Sequence, residues 1–175
     1  MNHFILTLVS IASFLFVSCS STSSTLVPAS SSANPAVAVL PLKGALGEQG
    51  ADLNIEQLAL NGIATVERSS IKSLLREHGY RGDSRFDQNS IAKYGELLGV
   101  SKVFTGTVTA KSGPLYSFDH VNITLKVIDV STGQVTWIGR YGNSLWSSAI
   151  STQGDLQRGT KNIVKEFVKV HGTKF

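Results

Sequence analysis

Apolar positions fall along this chain in distinct patterns, and each predicts an element. The run AVAVLPL, Ala36 to Leu42, is continuously apolar and ends at a proline, as a strand covered on both faces would. IATVE, Ile63 to Glu67, predicts a second buried strand. Helical spacing sets in at Ile55, Leu58 and Ala59 with Gly62 as the stop. It returns at Ile71, Leu74, Leu75 and His78 behind Ser69 or Ser70, closing at Gly79, and again at Ile91, Tyr94, Gly95 and Leu98, closing at Gly99. Val103 to Thr109 predicts a strand. VNITLKVIDV alternates Val121, Ile123, Leu125 and Val127 against Asn122, Thr124 and Lys126, the period of a half-buried strand. STGQ, Ser131 to Gln134, supplies the glycine of a tight turn, so VTWIGRY should return antiparallel. Leu156, Gly159, Ile163, Phe167 and Val170 stripe a final helix. The expected fold is α/β, a mixed β-sheet of about five strands flanked by helices.

Ahead of this lies a different texture. Phe4 to Val17 is an apolar run of 14 residues, too short for a hydrocarbon core that needs about 20, and of the length of a signal-peptide core. Phe16, Val17 and Ser18 ahead of Cys19 resemble a bacterial lipobox. That resemblance implies cleavage before Cys19 and lipidation of its thiol. The alternatives are a secretory leader cut elsewhere or a buried cysteine, a common place for the residue. SSTSSTLVPASSSANP, Ser20 to Pro35, offers almost no apolar side chain to build a core around and reads as a Ser/Thr tether, spanning about 20 Å as a coil. The expected organisation is therefore a lipoprotein signal peptide at 1–18, a tether at 19–35 and one domain at 36–175. Ser20 does not resemble the aspartate that retains lipoproteins in the inner membrane, which favours an outer-membrane, periplasm-facing location.

Composition sharpens this picture only in places. The 175 residues suit one domain plus tails, and 42% hydrophobic with 16% charged residues is a globular composition. The net charge of +4 belongs to the folded part, because no Lys, Arg, Asp or Glu precedes Lys43. Both signs are interspersed without a like-charged run, which argues against phosphate tracking along nucleic acid and suits a solvated surface near anionic envelope polymers or lipid head groups. A single cysteine leaves no intramolecular disulfide.

Candidate chemistry is sparse. His3, His78, His120 and His171 lack the spacing of a zinc site, and His78 is expected to cap its helix. The serines form no nucleophile elbow, and the glycines around Gly95 and Gly99 no phosphate loop. Asp83, Asp87, Asp119, Asp129 and Asp155 suit turns and caps. Arg81, Gly82 and Asp83 spell an adhesion tripeptide of a kind such a loop produces by chance. Neither a cofactor, a metal, a small-molecule substrate nor an enzymatic activity is expected. Among the aromatic residues Phe118, Trp137, Tyr141 and Trp146, Trp137 should pack under the last helix, whereas Trp146, set among polar residues, is the candidate partner contact.

VERSSIKSLLREHGY, LGVSKVFTGTVT and VNITLKVIDVSTGQVTW, in that order, resemble the curli production assembly/transport component family from Ala36 to about Val170. The matching positions are Val66, Glu67 and Arg68, then Leu98, Gly99 and Thr105 to Val108, then Asp129 to Gly133. The resemblance implies an outer-membrane or periplasmic lipoprotein whose domain is like the amino-terminal domain of TolB. It extends to lipoprotein activators of penicillin-binding proteins and to a flagellar-associated lipoprotein group. The expected function is a non-catalytic module that binds an envelope protein or assembles with its own copies. A subunit of a curli-type secretion channel and an activator of a peptidoglycan synthase are the alternatives. Channels of the family insert long β-hairpins, and KSGPLYSFDH, Lys111 to His120, is too short for one.

Overall fold

A computed structural model describes residues 37–79, 88–111, 120–142 and 152–172. Four strands, β1 (Val37–Val39), β2 (Lys102–Lys111), β3 (His120–Asp129) and β4 (Val135–Gly142), form one mixed sheet in that order. β1 runs parallel to β2, while β2–β3 and β3–β4 are antiparallel. Helices α1 (Gly47–Leu60) and α4 (Thr152–His171) cover one face, and α2 (Arg68–Glu77) and α3 (Gln88–Leu98) cover part of the other. The α/β class and the mixed sheet are as expected, but the described residues hold four strands rather than five. Residues 63–67 approach β1 at a single point, where the Val37 amide donates to Ala64 O (3.2 Å) and the Val66 amide donates to Val37 O (3.0 Å). Ile63 and Val66 are buried, so their apolar character reports burial without a ladder.

The sheet separates two cores. Val37, Val39, Phe104, Val108, Ile123, Leu125 and Val127 point toward α1 and α4, where they meet Leu58, Leu156, Ile163, Val164 and Phe167. Ala38, Leu40, Val103 and Ile128 point the other way, toward Ile71 and Leu75 of α2 and Ile91 of α3. β1 is thus buried on both faces, which is why its sequence does not alternate. β4 serves both cores through a bulge: Ile128 pairs with Val135 and Val127 with Trp137, so Val135 packs with one core and Trp137 with the other. Trp137 lies edge-on to Phe167 at 5.2 Å between ring centroids, under the last helix as expected.

Helix ends follow the glycines. At Gly62 (φ 78°) the amide donates to Ala59 O and that of Ile63 to Leu58 O, and at Gly99 (φ 67°) the same pair of bonds closes α3. α1 begins eight residues ahead of its readable stripe, because Gly47, Gly50 and the buried Asn54 fill the contact face of its first turns. Gly95 serves a different need. A Cβ there would stand 2.3 Å from Val130 Cγ2 and 3.0 Å from Val103 Cγ2, so α3 lies almost backbone-to-sheet.

Arg68, the first residue of α2, ties the layers together. Its Nη2 meets Glu48 Oε2 at 2.6 Å, its Nε meets Asp52 Oδ1 at 3.0 Å, and its Nη1 donates to Val39 O at 3.4 Å, with only 14% of the side chain exposed. Lys72 adds a 3.1 Å contact to Glu48. Partial burial would raise the Glu48 carboxyl, but hydrogen bonds from Lys72 and Arg68 outweigh it and hold the group below its ordinary value of 4.5. At the other end of the sheet, Asp129 Oδ1 accepts from the Ser131 amide (3.0 Å) and hydroxyl (2.6 Å) and the Thr132 amide (3.1 Å), an Asx turn that fixes the β3–β4 hairpin. The Ser131 hydroxyl is the main cause of its lowered pKa.

Two outcomes follow for stability. Gly95→Val should destabilise the domain by about 1–3 kcal/mol in urea unfolding, because overpacking against Val130 and Val103 outweighs a helix-propensity gain of a few tenths. Glu48 is depressed in the folded state, so its contribution is complete above 4.5 and fades as pH falls through the lower folded value. The urea-midpoint gap between wild type and Glu48→Gln should therefore be open at neutral pH and close on acidification; a pH-independent gap would contradict the ion cluster.

Candidate functional site

On the α2–α3 side the described helices pack against Val103, Ile128 and Val135 and do not reach Thr107, Lys126, Ile138 and Arg140 of β2, β3 and β4, which are exposed. The strand register places the side chains of this face in rows. One row runs Thr105, Lys126, Ile138; the next runs Lys43, Thr107, Thr124, Arg140. Lys43 joins through a parallel bridge to Thr107, with its amide donating to Gly106 O (2.9 Å) and its carbonyl accepting from the Val108 amide (2.7 Å). Together these side chains line an open concavity of about 550 Å³, floored at its α3 end by Ile91, Ile128 and Val135.

The charge of this concavity is one-sided. Among the described residues, Lys43, Lys126 and Arg140 line it and no carboxylate does. The ion pairs of the described residues lie elsewhere, at Arg68 and Lys72 with Glu48 and Asp52, at Lys102 with Asp129 (3.6 Å), and at Lys169 with Glu166 (4.0 Å). Lys126 and Arg140 are diagonal neighbours on adjacent strands, where like charges repel. Half-buried Thr105 and Thr124 and exposed Thr107 set hydroxyls between the cations. Ile138, 49% exposed, stands on the same face. Such a surface can hold an anion by charge and hydroxyl donation; among the described residues it carries no grouping of nucleophile, base and orienting acid.

Of the residues singled out in the sequence, Cys19, Phe118, Trp146 and the 81–83 tripeptide lie outside the described residues, as do the signal and tether segments. Trp137 and Tyr141 face the α4 side. His171 stacks on Phe167 at 4.6 Å and its Nδ1 lies 3.2 Å from Phe167 O. His78 is the C-cap of α2 through its backbone amide, and its ring stands edge-on to Tyr94 at 6.2 Å. Among the described residues no group of three His, Cys, Asp or Glu side chains could hold a metal, and no helix is long and apolar enough to cross a membrane. Sequence reasoning missed Lys43, Lys126 and Arg140. Their signal was the alternation of VNITLKVIDV, which marks Thr124 and Lys126 as one face without saying what lies opposite.

The model of the family described as curli production assembly/transport component CsgG matches residues 9–153, and the chain belongs to that family. No curated protein matches the sequence. Lipoprotein GNA1162 from Neisseria meningitidis shares the fold at 15% identity and a TM-score of 0.53, over 78% of this chain and 99% of that one. A PelC dodecamer from Paraburkholderia phytofirmans gives 17% identity and 0.49, over 75% and 85%. TolB from Acinetobacter baumannii gives 12% and 0.46, over 79% of this chain and 29% of that one.

The electrostatic crowding has a measurable consequence. Lys126→Glu replaces a repulsive diagonal with an attractive one and should raise stability by about 0.2–1 kcal/mol, the gain shrinking as salt is added. Urea titrations at low and high ionic strength test this, and a loss of stability would show that Lys126 is already satisfied.

Proposed function

We propose that this protein is a lipid-anchored lipoprotein of the outer membrane whose periplasm-facing domain, residues 36–175, is a non-catalytic module that binds an envelope protein or copies of itself. Residues 1–18 would leave as a signal peptide, Cys19 would carry the lipid, and residues 19–35 would serve as the tether. The observation that carries the binding role is the sheet face that the described helices cover only in part. A mixed sheet in this architecture is ordinarily covered on both faces. Here the rows through Lys126 and Arg140 are left to solvent beside the 49% exposed Ile138. The family membership and the apolar leader running into Cys19 support the envelope setting.

Full-length protein expressed in a diderm host tests both halves. Wild type should partition into the detergent phase, and Cys19→Ala should move it to the aqueous phase; a mutant that stays in detergent overturns the anchor. Cross-linking in intact cells, followed by mass determination of the detergent-solubilised complex, should give a discrete species larger than the monomer. A strictly monomeric product with no captured protein overturns the binding role.

A further inference from the structure

We infer that the open sheet face is a docking site for an acidic peptide segment of a partner protein, its carboxylates held by Arg140 and Lys126 on one side and Lys43 on the other. The inference rests on the binding role proposed above and names the chemistry of what is bound. Three observations carry it. First, Lys43, Lys126 and Arg140 line one concavity that no carboxylate of the described residues enters, and none of the three belongs to an ion pair of those residues. Adjacent like charges on a sheet cost stability, so their placement leaves an anion to be supplied from outside. Second, the row Lys43, Thr107, Thr124, Arg140 crosses three strand spacings, about 14 Å at about 4.8 Å each. One phosphate or carboxylate reaches one end of such a row, while a chain carrying several charges reaches both. Third, the concavity combines charge with an apolar floor of Ile91, Ile128 and Val135, and the exposed Ile138 stands on the same face.

These features discriminate among anions. Among the described residues no aromatic side chain lines the concavity, so they offer a sugar polymer or a nucleobase no stacking surface. An acidic peptide with an apolar residue between its carboxylates matches all three observations. The planar guanidinium of Arg140 can grip one carboxylate through two parallel hydrogen bonds, the Lys126 ammonium can take the next, and the threonine hydroxyls can donate to the peptide carbonyls.

The test is fluorescence-anisotropy titration of the full-length, detergent-solubilised protein with a labelled Glu-Glu-Leu-Glu-Glu peptide. A Gln-Gln-Leu-Gln-Gln peptide serves as the neutral control. The acidic peptide should bind, the neutral one at least about tenfold more weakly, and added salt should weaken binding. Lys126→Gln and Arg140→Gln should each reduce affinity about tenfold, whereas Lys161→Gln, exposed on α4, should leave it unchanged. Arg140→Lys, which keeps the charge and loses the fork, should fall between, and circular dichroism of each variant confirms the fold. Equal binding of the two peptides, or unaltered binding by both glutamine variants, overturns the inference. Displacement of the peptide by inorganic phosphate at equal concentration shows a nonspecific anion site and also overturns it. So do phosphatidylglycerol vesicles that bind through Lys126 and Arg140 while the peptide does not. If Arg140→Gln still captures its cross-linked partner in cells, this inference falls and the broader binding role stands; if wild type captures nothing, the broader role falls.

Discussion

The register between β2 and β3 is the constraint on which both the core and the open face depend. Ten consecutive pairs, from Lys102↔Asp129 to Lys111↔His120, lock the two strands. Side chains alternate with a period of two, so a slip of one residue would carry Ile123 and Leu125 into solvent and Thr124 and Lys126 into the core. The same pairing that seats Phe104 and Val127 beneath α4 therefore sets the threonine and lysine rows on the reverse. Core and surface are two readings of one ladder, and the hydrophobic side decides its position. The ladder is pinned at one end by Asp129, whose carboxylate gathers the amides and hydroxyls of the turn and pairs with Lys102 across the strands.

The motifs behind the family resemblance are devices of the fold. Arg68 closes a corner where α1, α2 and the end of β1 meet, and Asp129 with Gly133 closes a hairpin. Gly99 ends α3 so that Val100 can turn into the buried layer before β2. Each is a local geometry satisfied by a narrow choice of residue, which explains why such positions identify the family while saying little about what is bound. The rows of the open face contain ordinary surface residue types, and their information lies in their juxtaposition.

That difference also sets what was legible in the sequence. Ile71 and Leu75, Ile91 and Gly95, and Leu156 through Phe167 showed their faces because helix period and burial agree there. The hairpin of β3 and β4 was legible from alternation and turn chemistry, as was the placing of Trp137 under the last helix. The first half of α1 was not, because its contact face is made of glycines, Ala51 and the buried Asn54, whose amide nitrogen donates to Gly50 O at 2.6 Å. Residues 63–67 read as a strand because the apolar content of a buried crossing segment and of a strand is the same. The open face escaped notice because Lys43 is distant in sequence from Lys126 and Arg140, and only the sheet brings them to one surface.

The bulge in β4 carries a consequence for how this domain can change. Between Val135 and Trp137 a single extra residue, Thr136, reverses which side of the sheet the strand addresses, so parity there is set by length and not by side-chain identity. Losing the Thr136 codon would leave Val135 opposite Ile128 and Trp137 opposite Val127 in an unbulged ladder, whereas losing a codon between Trp137 and Tyr141 would carry every residue beyond it to the other side of the sheet. The length of β4 is thus free to shrink at that one point and fixed beyond it, while at Gly139, where a Cβ would stand 2.2 Å from the Trp137 ring, the residue itself is fixed as well.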